Sequence, residues 1–220
     1  MKKVLFCMPG REYSGNFLKC WTALIHACYQ REVLPIMSQT YSPVVYFSRS
    51  LCLGADYMAG PSQKPFQGKI DYDYIMWIDS DIVFQPDDFF NLLALEKDIA
   101  SGLYIMADNT HYPVVETWDQ KEFITKGRFK FLTRSDMAAK TGPFKVSYAG
   151  MGWMLVKNGV MESLEYPWFR PLCTEITHEG KTIMDLSSED AGFCRSAGDQ
   201  GYDVWVDPRI IVGHEKKIVL

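Results

Sequence analysis

Five consecutive apolar residues, Tyr74-Ile75-Met76-Trp77-Ile78, run directly into Asp79-Ser80-Asp81 and then into a second apolar stretch, Ile82-Val83-Phe84. An apolar run of this length, bounded by charge, predicts a strand covered on both faces. Such a strand needs a packed layer on each side, and the carboxylates at its end cannot be buried without partners. In open α/β sheets the crevice beyond the carboxyl ends of the strands is where ligands bind. The junction thus carries a structural and a chemical expectation together.

The flanking sequence supplies the layers. Hydrophobic patterning predicts strands over 4–8, 33–37 and 99–104 and helices over 17–29 and 44–53, the alternation of an α/β fold. Pro86 followed by Asp87 and Asp88 marks another helix start, because proline suits the first turn and acids complement the helix dipole there. From about residue 108 the chain turns to Pro, Gly, Thr and aromatic residues in short alternating runs, which predicts a smaller mixed or antiparallel lobe. Within it, Gly150-Met151-Gly152-Trp153 leads into Met154-Leu155-Val156, and the glycines imply close approach of the backbone to a neighbour or ligand. Ser187-Ser188-Glu189-Asp190 opens a helix running to about Ala197, followed by a strand through Val204-Trp205-Val206. The expectation is one domain over 1–220, with an α/β half at 1–107 and a smaller mixed half at 108–220.

Composition narrows the function classes. With 47% hydrophobic and 23% charged residues the chain has the balance of a globular protein. A net charge of -4 without a basic cluster argues against nucleic acid as the main partner. The six cysteines lack metal-like spacing and read as reduced, buried thiols. The apolar start at residues 4–8 is cut short by Pro9-Gly10-Arg11-Glu12, so it reads as a strand and not as a signal peptide. No run approaches the ~20 apolar residues of a membrane span, and with no glycosylation sequon a cytoplasmic setting is expected. The apolar ending, Ile218-Val219-Leu220, suggests one module of a longer protein. Oligomeric state is not readable.

Two hard oxygen ligands one residue apart suit Mg²⁺ or Mn²⁺, held weakly so that the phosphates of a nucleotide complete the coordination. An Asp-rich turn that merely ends a strand is the structural alternative. His214 lies between a strand end and Lys216-Lys217; as a third ligand beside Asp79 and Asp81 it would favour Mn²⁺, and the two lysines could neutralise a diphosphate or simply form a surface charge pair. His26, His111 and His178 show no partner pattern. Asp190 is a candidate general base with Glu189 as substitute, although Ser187-x-x-Asp190 also resembles a capping box. Pro9-Gly10 could admit a nucleobase, with Tyr13 or Tyr41 to stack on it. Trp118, Trp153, Tyr166 and Trp168 could present sugar-stacking faces. No phosphate-binding loop of the kinase or dehydrogenase type is present.

These motifs together resemble the nucleotide-sugar glycosyltransferases of the GT-A fold, whose D-x-D motif follows a strand in this way. Met8-Pro9-Gly10 resembles their nucleotide-binding loop, Arg49 in Ser48-Arg49-Ser50 their helix arginine near the donor, and Gly150-Met151-Gly152-Trp153 their glycine-rich loop. Ser188-Glu189-Asp190 resembles the acidic helix start of inverting members, and His214 their late metal histidine. The chain is also similar to small chlorella-virus transferase domains that glycosylate a major capsid protein. The resemblance implies a GT-A-like (Rossmann-like), mostly parallel twisted sheet and transfer from a UDP-sugar of the glucose or rhamnose type to a glycan or glycoprotein acceptor, in the host cytoplasm if viral. It implies donor contacts from Pro9, Gly10, Arg49, Asp79, Ser80, Gly152, Trp153, Lys216 and Lys217, metal held by Asp79, Asp81 and His214, and catalysis by Asp190 and Glu189. A sugar-nucleotide pyrophosphorylase and a non-catalytic, cation-dependent carbohydrate-binding module remain the alternatives.

Overall fold

The computed structural model describes residues 1–216, leaving out the side chains of His178 and Lys181. Lys217 and the apolar ending lie outside the described residues. In chain order the strands are β1 Lys2–Pro9, β2 Val33–Thr40, β3 Tyr74–Ile78, β4 Ile82–Val83, β5 Ile99–Leu103, β6 Val114–Val115, β7 Phe144–Val146, β8 Tyr148–Ala149, β9 Trp153–Lys157, β10 Cys173–His178, β11 Lys181–Leu186, β12 Val204–Ile211 and β13 Gly213–His214. The helices are α1 Gly15–Gln30, α2 Val45–Cys52, α3 Pro86–Ala94, α4 Gln120–Lys126, α5 Arg134–Ala138, α6 Val160–Ser163 and α7 Glu189–Asp199.

Seven strands form one sheet in the order β2-β1-β3-β9-β5-β12-β7. The β1–β2, β1–β3 and β5–β12 pairings are parallel, whereas β9 runs antiparallel to both β3 and β5, and β7 antiparallel to β12. All five residues of β3 are buried, as the unbroken apolar run requires of a strand covered on both faces. Helices α1 and α3 cover one face, where Phe17, Leu24, Phe89 and Leu92 pack against Phe6 and Met76. The opposite face holds a second core in which Cys52 of α2 and the following Leu53, Val160 and Met161 of α6 and Phe193 of α7 meet Leu5, Ile75 and Trp77.

Local chemistry sets the helix starts. The Ser14 hydroxyl accepts the Phe17 amide at 3.0 Å, a cap worth about 1 kcal/mol. At the start of α3 the Asp88 carboxylate accepts the Gln85 amide at 2.7 Å.

The second half of the chain supplies antiparallel pairs, as its sequence suggests, and also strands of the main sheet. Strands β9, β12 and β7 all enter the main sheet, with β9 inserted between β3 and β5. Among the described residues, the β10–β11 hairpin and the short β6–β8 and β4–β13 pairs stand outside it. The short alternating runs do mark antiparallel strands, but burial of an apolar strand such as Trp153–Lys157, with four of five residues covered, is satisfied best at the sheet centre.

Candidate active site

At the carboxyl edge of the parallel strands the chain ends of β1, β3, β5 and β12 meet the start of antiparallel β9. The Asp79 amide donates to the Gly152 carbonyl at 3.0 Å, which ties the acidic turn to the beginning of β9. Gly10 lies against this turn: a Cβ there would stand 2.7 Å from the Ser80 Cβ, so glycine is required for the close approach. Pro9, Gly10, Tyr41, Ser80 and Asp81 contribute to the wall of a cleft of about 290 Å³. Tyr13 is occupied otherwise, donating its hydroxyl to the Met8 carbonyl at 2.8 Å and packing 4.7 Å from the Phe17 ring. Tyr41 remains as the exposed aromatic at the cleft.

Behind the cleft is Arg49. It projects from α2 into the protein, 2% exposed, with its guanidinium over the Trp77 ring at 5.5 Å. Nη2 donates to Asp79 Oδ2 at 3.2 Å and Nε to Glu189 Oε1 at 3.2 Å. Nη1 lies 3.1 Å from Asp79 Oδ1, but without hydrogen-bond alignment, so both are buried atoms lacking a directed partner. Arg49 therefore faces the carboxylates and not open space in the cleft, a different place from the donor contact that the resemblance implies. Burial alone would lower the guanidinium pKa; the charges of Asp79, Glu189 and Asp190 outweigh it and raise it. Burial pushes the Glu189 carboxyl up, reinforced by neighbouring Asp190, and Arg49 opposes the shift.

Asp81 points the other way. Its Oδ2 lies 3.1 Å from His214 Nε2 and 2.7 Å from Lys216 Nζ. These residues, more than 130 apart in the chain, meet because β13 pairs antiparallel with β4, setting His214 opposite Ile82. His214 Nδ1 is 2.7 Å from the Ile105 carbonyl, an acceptor only, so Nδ1 carries the proton. In the neutral ring Nε2 then directs a lone pair at a carboxylate oxygen. That repulsion is removed by protonating the ring or by placing a cation between the two. Burial would raise the Asp81 pKa, but hydrogen bonds from His214 and Lys216 outweigh it and hold it at about 2. The same contact raises the His214 pKa against the lowering effect of burial.

The donor set fits a divalent cation as a two-residue site, Asp81 and His214, completed by ligand oxygens. Asp79 does not join them in one cluster, because Arg49 draws it inward; among the described residues no group of three or more His, Cys, Asp and Glu side chains is assembled for a metal. Its unpartnered Oδ1 is the remaining acceptor at the turn.

Asp190, at the start of α7, accepts from the Tyr148 hydroxyl at 2.9 Å, from the Ser188 hydroxyl, and from the Ala191 amide at 2.9 Å. The capping alternative takes another form: the N-cap is Ser188 without a side-chain cap bond, and Ser187 accepts the Leu172 amide instead. Burial drives the Tyr148 hydroxyl pKa well up, so it stays a donor. Tyr148 and Tyr104 carried no sequence signal. Tyr104 explains the glycine-rich loop: its hydroxyl accepts the Gly152 amide at 3.1 Å, and Cβ atoms at Gly150 and Gly152 would meet that hydroxyl at 2.3 and 3.0 Å.

Trp153 is a correction. It is fully buried, 4.6 Å from the Phe84 ring, and from that position touches no donor. Gly152 acts through its backbone, holding Asp79. Trp168 is also buried, with Tyr166 edge-on at 5.3 Å, whereas Trp118 lies at a cavity wall.

No protein-family model and no curated protein sequence matches the chain. Solved structures do. The chain is similar to A197 from STIV at a TM-score of 0.53 and 14% identity, covering 100% of this chain and 97% of that one. It is similar to GalNAc-T7, solved with UDP, GalNAc and Mn²⁺, at a TM-score of 0.56 and 12% identity, covering 99% of this chain and 44% of that one. The fold is GT-A-like: a mixed, mostly parallel seven-stranded sheet flanked by helices, with small antiparallel pairs. The likeness to A197 and GalNAc-T7 is one of fold. No helix among the described residues is long and apolar enough to cross a membrane.

Proposed function

We propose that the chain is a metal-dependent glycosyltransferase that moves a sugar from a UDP-sugar, of the glucose or rhamnose type, to a glycan or glycoprotein acceptor with inversion. A viral capsid glycoprotein is the acceptor context that the resemblance favours. What supports the reading is that Asp79, beside Asp81 at the carboxyl edge of the sheet, is joined through Arg49 to Glu189, the neighbour of Asp190. GalNAc-T7, with the same fold, was solved with UDP and Mn²⁺, which supports the choice of nucleotide and metal.

Pro9, Gly10 and Ser80 line the floor for the nucleotide, with Tyr41 beside it for stacking. Asp81 and His214 would hold Mn²⁺, with Mg²⁺ as the harder alternative, and Asp79, partly exposed at the cleft wall, would face the ribose or a water. A bound Mn²⁺ screens the charge that builds on the departing diphosphate. Lys216 adds a cation at the same place, and Lys217 is proposed to share that role. Asp190, oriented by Tyr148 and Ser188, takes the proton of the acceptor hydroxyl as its oxygen bonds to the donor C1. The C1–O bond to the diphosphate breaks and its electron pair leaves with UDP. Glu189, neutralised by Arg49, holds the arginine in position.

Incubation with UDP-glucose or UDP-rhamnose, Mn²⁺ and saccharide acceptors tests the reading through UDP release. Sugar-dependent UDP release is expected. Pyrophosphate release, or no turnover with any UDP-sugar, overturns it.

A further inference from the structure

Next to Asp190 lies a partly open cavity of about 210 Å³ that shares no wall residue with the donor cleft. Two of its wall residues, Tyr148 and Ser188, are the hydroxyls that bind Asp190. The cavity therefore borders the two residues that hold Asp190, the proposed acceptor base. Its other walls are aromatic: Trp118 stands edge-on to Phe129 at 4.7 Å and 6.0 Å from the Tyr148 ring, with Phe131 beyond. One acid also borders it. Asp185 Oδ2 is a buried oxygen with no hydrogen-bond partner, and its nearest cation, Arg195 Nη2, is 3.7 Å away. A buried, unpaired carboxylate oxygen costs free energy that a ligand hydroxyl would recover.

Arg195 is stacked over the Trp118 ring at 4.6 Å and donates to Thr174 at 2.9 Å, which presets the orientation of the indole. Trp118, Phe129 and Arg195 are also walls of a second, larger cavity of about 560 Å³ on the side away from Asp190. An aromatic face bordered by hydrogen-bonding groups matches a pyranose, which has an apolar C–H face and hydroxyls at its edge. A polypeptide acceptor would instead need an open groove or strand edge for its backbone.

We infer that the smaller cavity seats the accepting sugar ring, with Trp118 as its stacking platform and Asp185 as a hydroxyl acceptor, and that the larger cavity seats the next residue of a carbohydrate chain. This rests on the transferase reading above and makes the acceptor an oligosaccharide, not a serine or threonine of a polypeptide.

The test is saccharide binding without any donor, by saturation-transfer NMR on the full chain. The probes are methyl glycosides of glucose, galactose, mannose, rhamnose and N-acetylglucosamine, and glucose and mannose disaccharides. Saturation of ring protons is expected, with disaccharides binding at least about tenfold more tightly than the monosaccharides. Trp118→Ala should abolish the signal and Trp118→Phe should keep most of it. Ala191→Val narrows the same cavity without touching the aromatic wall and should weaken binding as well. Circular dichroism on each variant checks folding.

Binding unchanged in both Trp118→Ala and Ala191→Val, or no saccharide binding by the wild-type chain, overturns the inference. So does glycosylation of a serine-threonine peptide in preference to saccharides. Thermal shift with UDP and Mn²⁺ keeps the two readings apart: stabilisation by UDP without saccharide binding sinks only the acceptor site, whereas no stabilisation by UDP sinks the transferase reading.

Discussion

The acid pair at the end of β3 and the acid pair at the start of α7 come from different secondary structures and different halves of the chain, yet they are built alike. In each, one carboxylate turns inward to Arg49 and the other turns outward to polar partners. Asp79 and Glu189 are the inner acids, bound to opposite sides of one guanidinium. Asp81, with His214 and Lys216, and Asp190, with Tyr148 and Ser188, are the outer ones. A single buried cation thus ties the two turns together. In the proposed transferase this leaves each outer acid for chemistry, Asp81 toward a cation and Asp190 toward a proton.

The sharpest way to break this arrangement is Arg49→Ala. It leaves two mostly buried carboxylates without their cation, which should cost about 3–5 kcal/mol of unfolding free energy in urea titration. A loss below about 1 kcal/mol, the range of exposed pairs, would mean that the inner acids do not depend on Arg49.

The outer acids separate by function. Asp190→Asn should lower sugar transfer by about 10²–10⁴-fold, while thermal stabilisation by UDP with Mn²⁺ persists. Asp81→Asn should do the reverse to binding, raising the UDP concentration needed for Mn²⁺-dependent stabilisation by at least about tenfold. If both variants lost UDP binding equally, the division between metal side and base side would collapse.

Smaller effects refine the donor side. Gly10→Ala forces a Cβ onto Ser80, and the displaced turn should cost about 1–3 kcal/mol. Lys216→Ala removes an ion pair whose two side chains are 43% and 41% exposed, and unfolding free energy should move by no more than about 1 kcal/mol. A larger change would show that Lys216 supports Asp81 structurally.

Much of this was legible in the sequence where the signal is local. The strand Tyr74–Ile78 coincides with its apolar run, and helices α1, α2 and α3 start within two residues of their predicted positions. The D-x-D turn, Asp190 and His214 could be singled out because a charged or imidazole side chain at the end of an apolar element needs a partner. Trp153 could not be sorted in the same way. A tryptophan after a glycine pair looks the same whether it faces a ligand or Phe84, and Gly150 and Gly152 make room for Tyr104, 46 and 48 residues before them.

By itself, then, the sequence determined the alternation of strand and helix, the strand that carries the acidic turn, and the positions of the two acid pairs. Those depend on periodicity and capping within about ten residues. Only the tertiary structure decided that β9 lies between β3 and β5, that Arg49 joins acids 30 and 140 residues away, and that His214 returns to Asp81 across 133 residues. Such contacts follow from strand order and register, which are settled by burying both sheet faces at once and leave no local pattern in the chain.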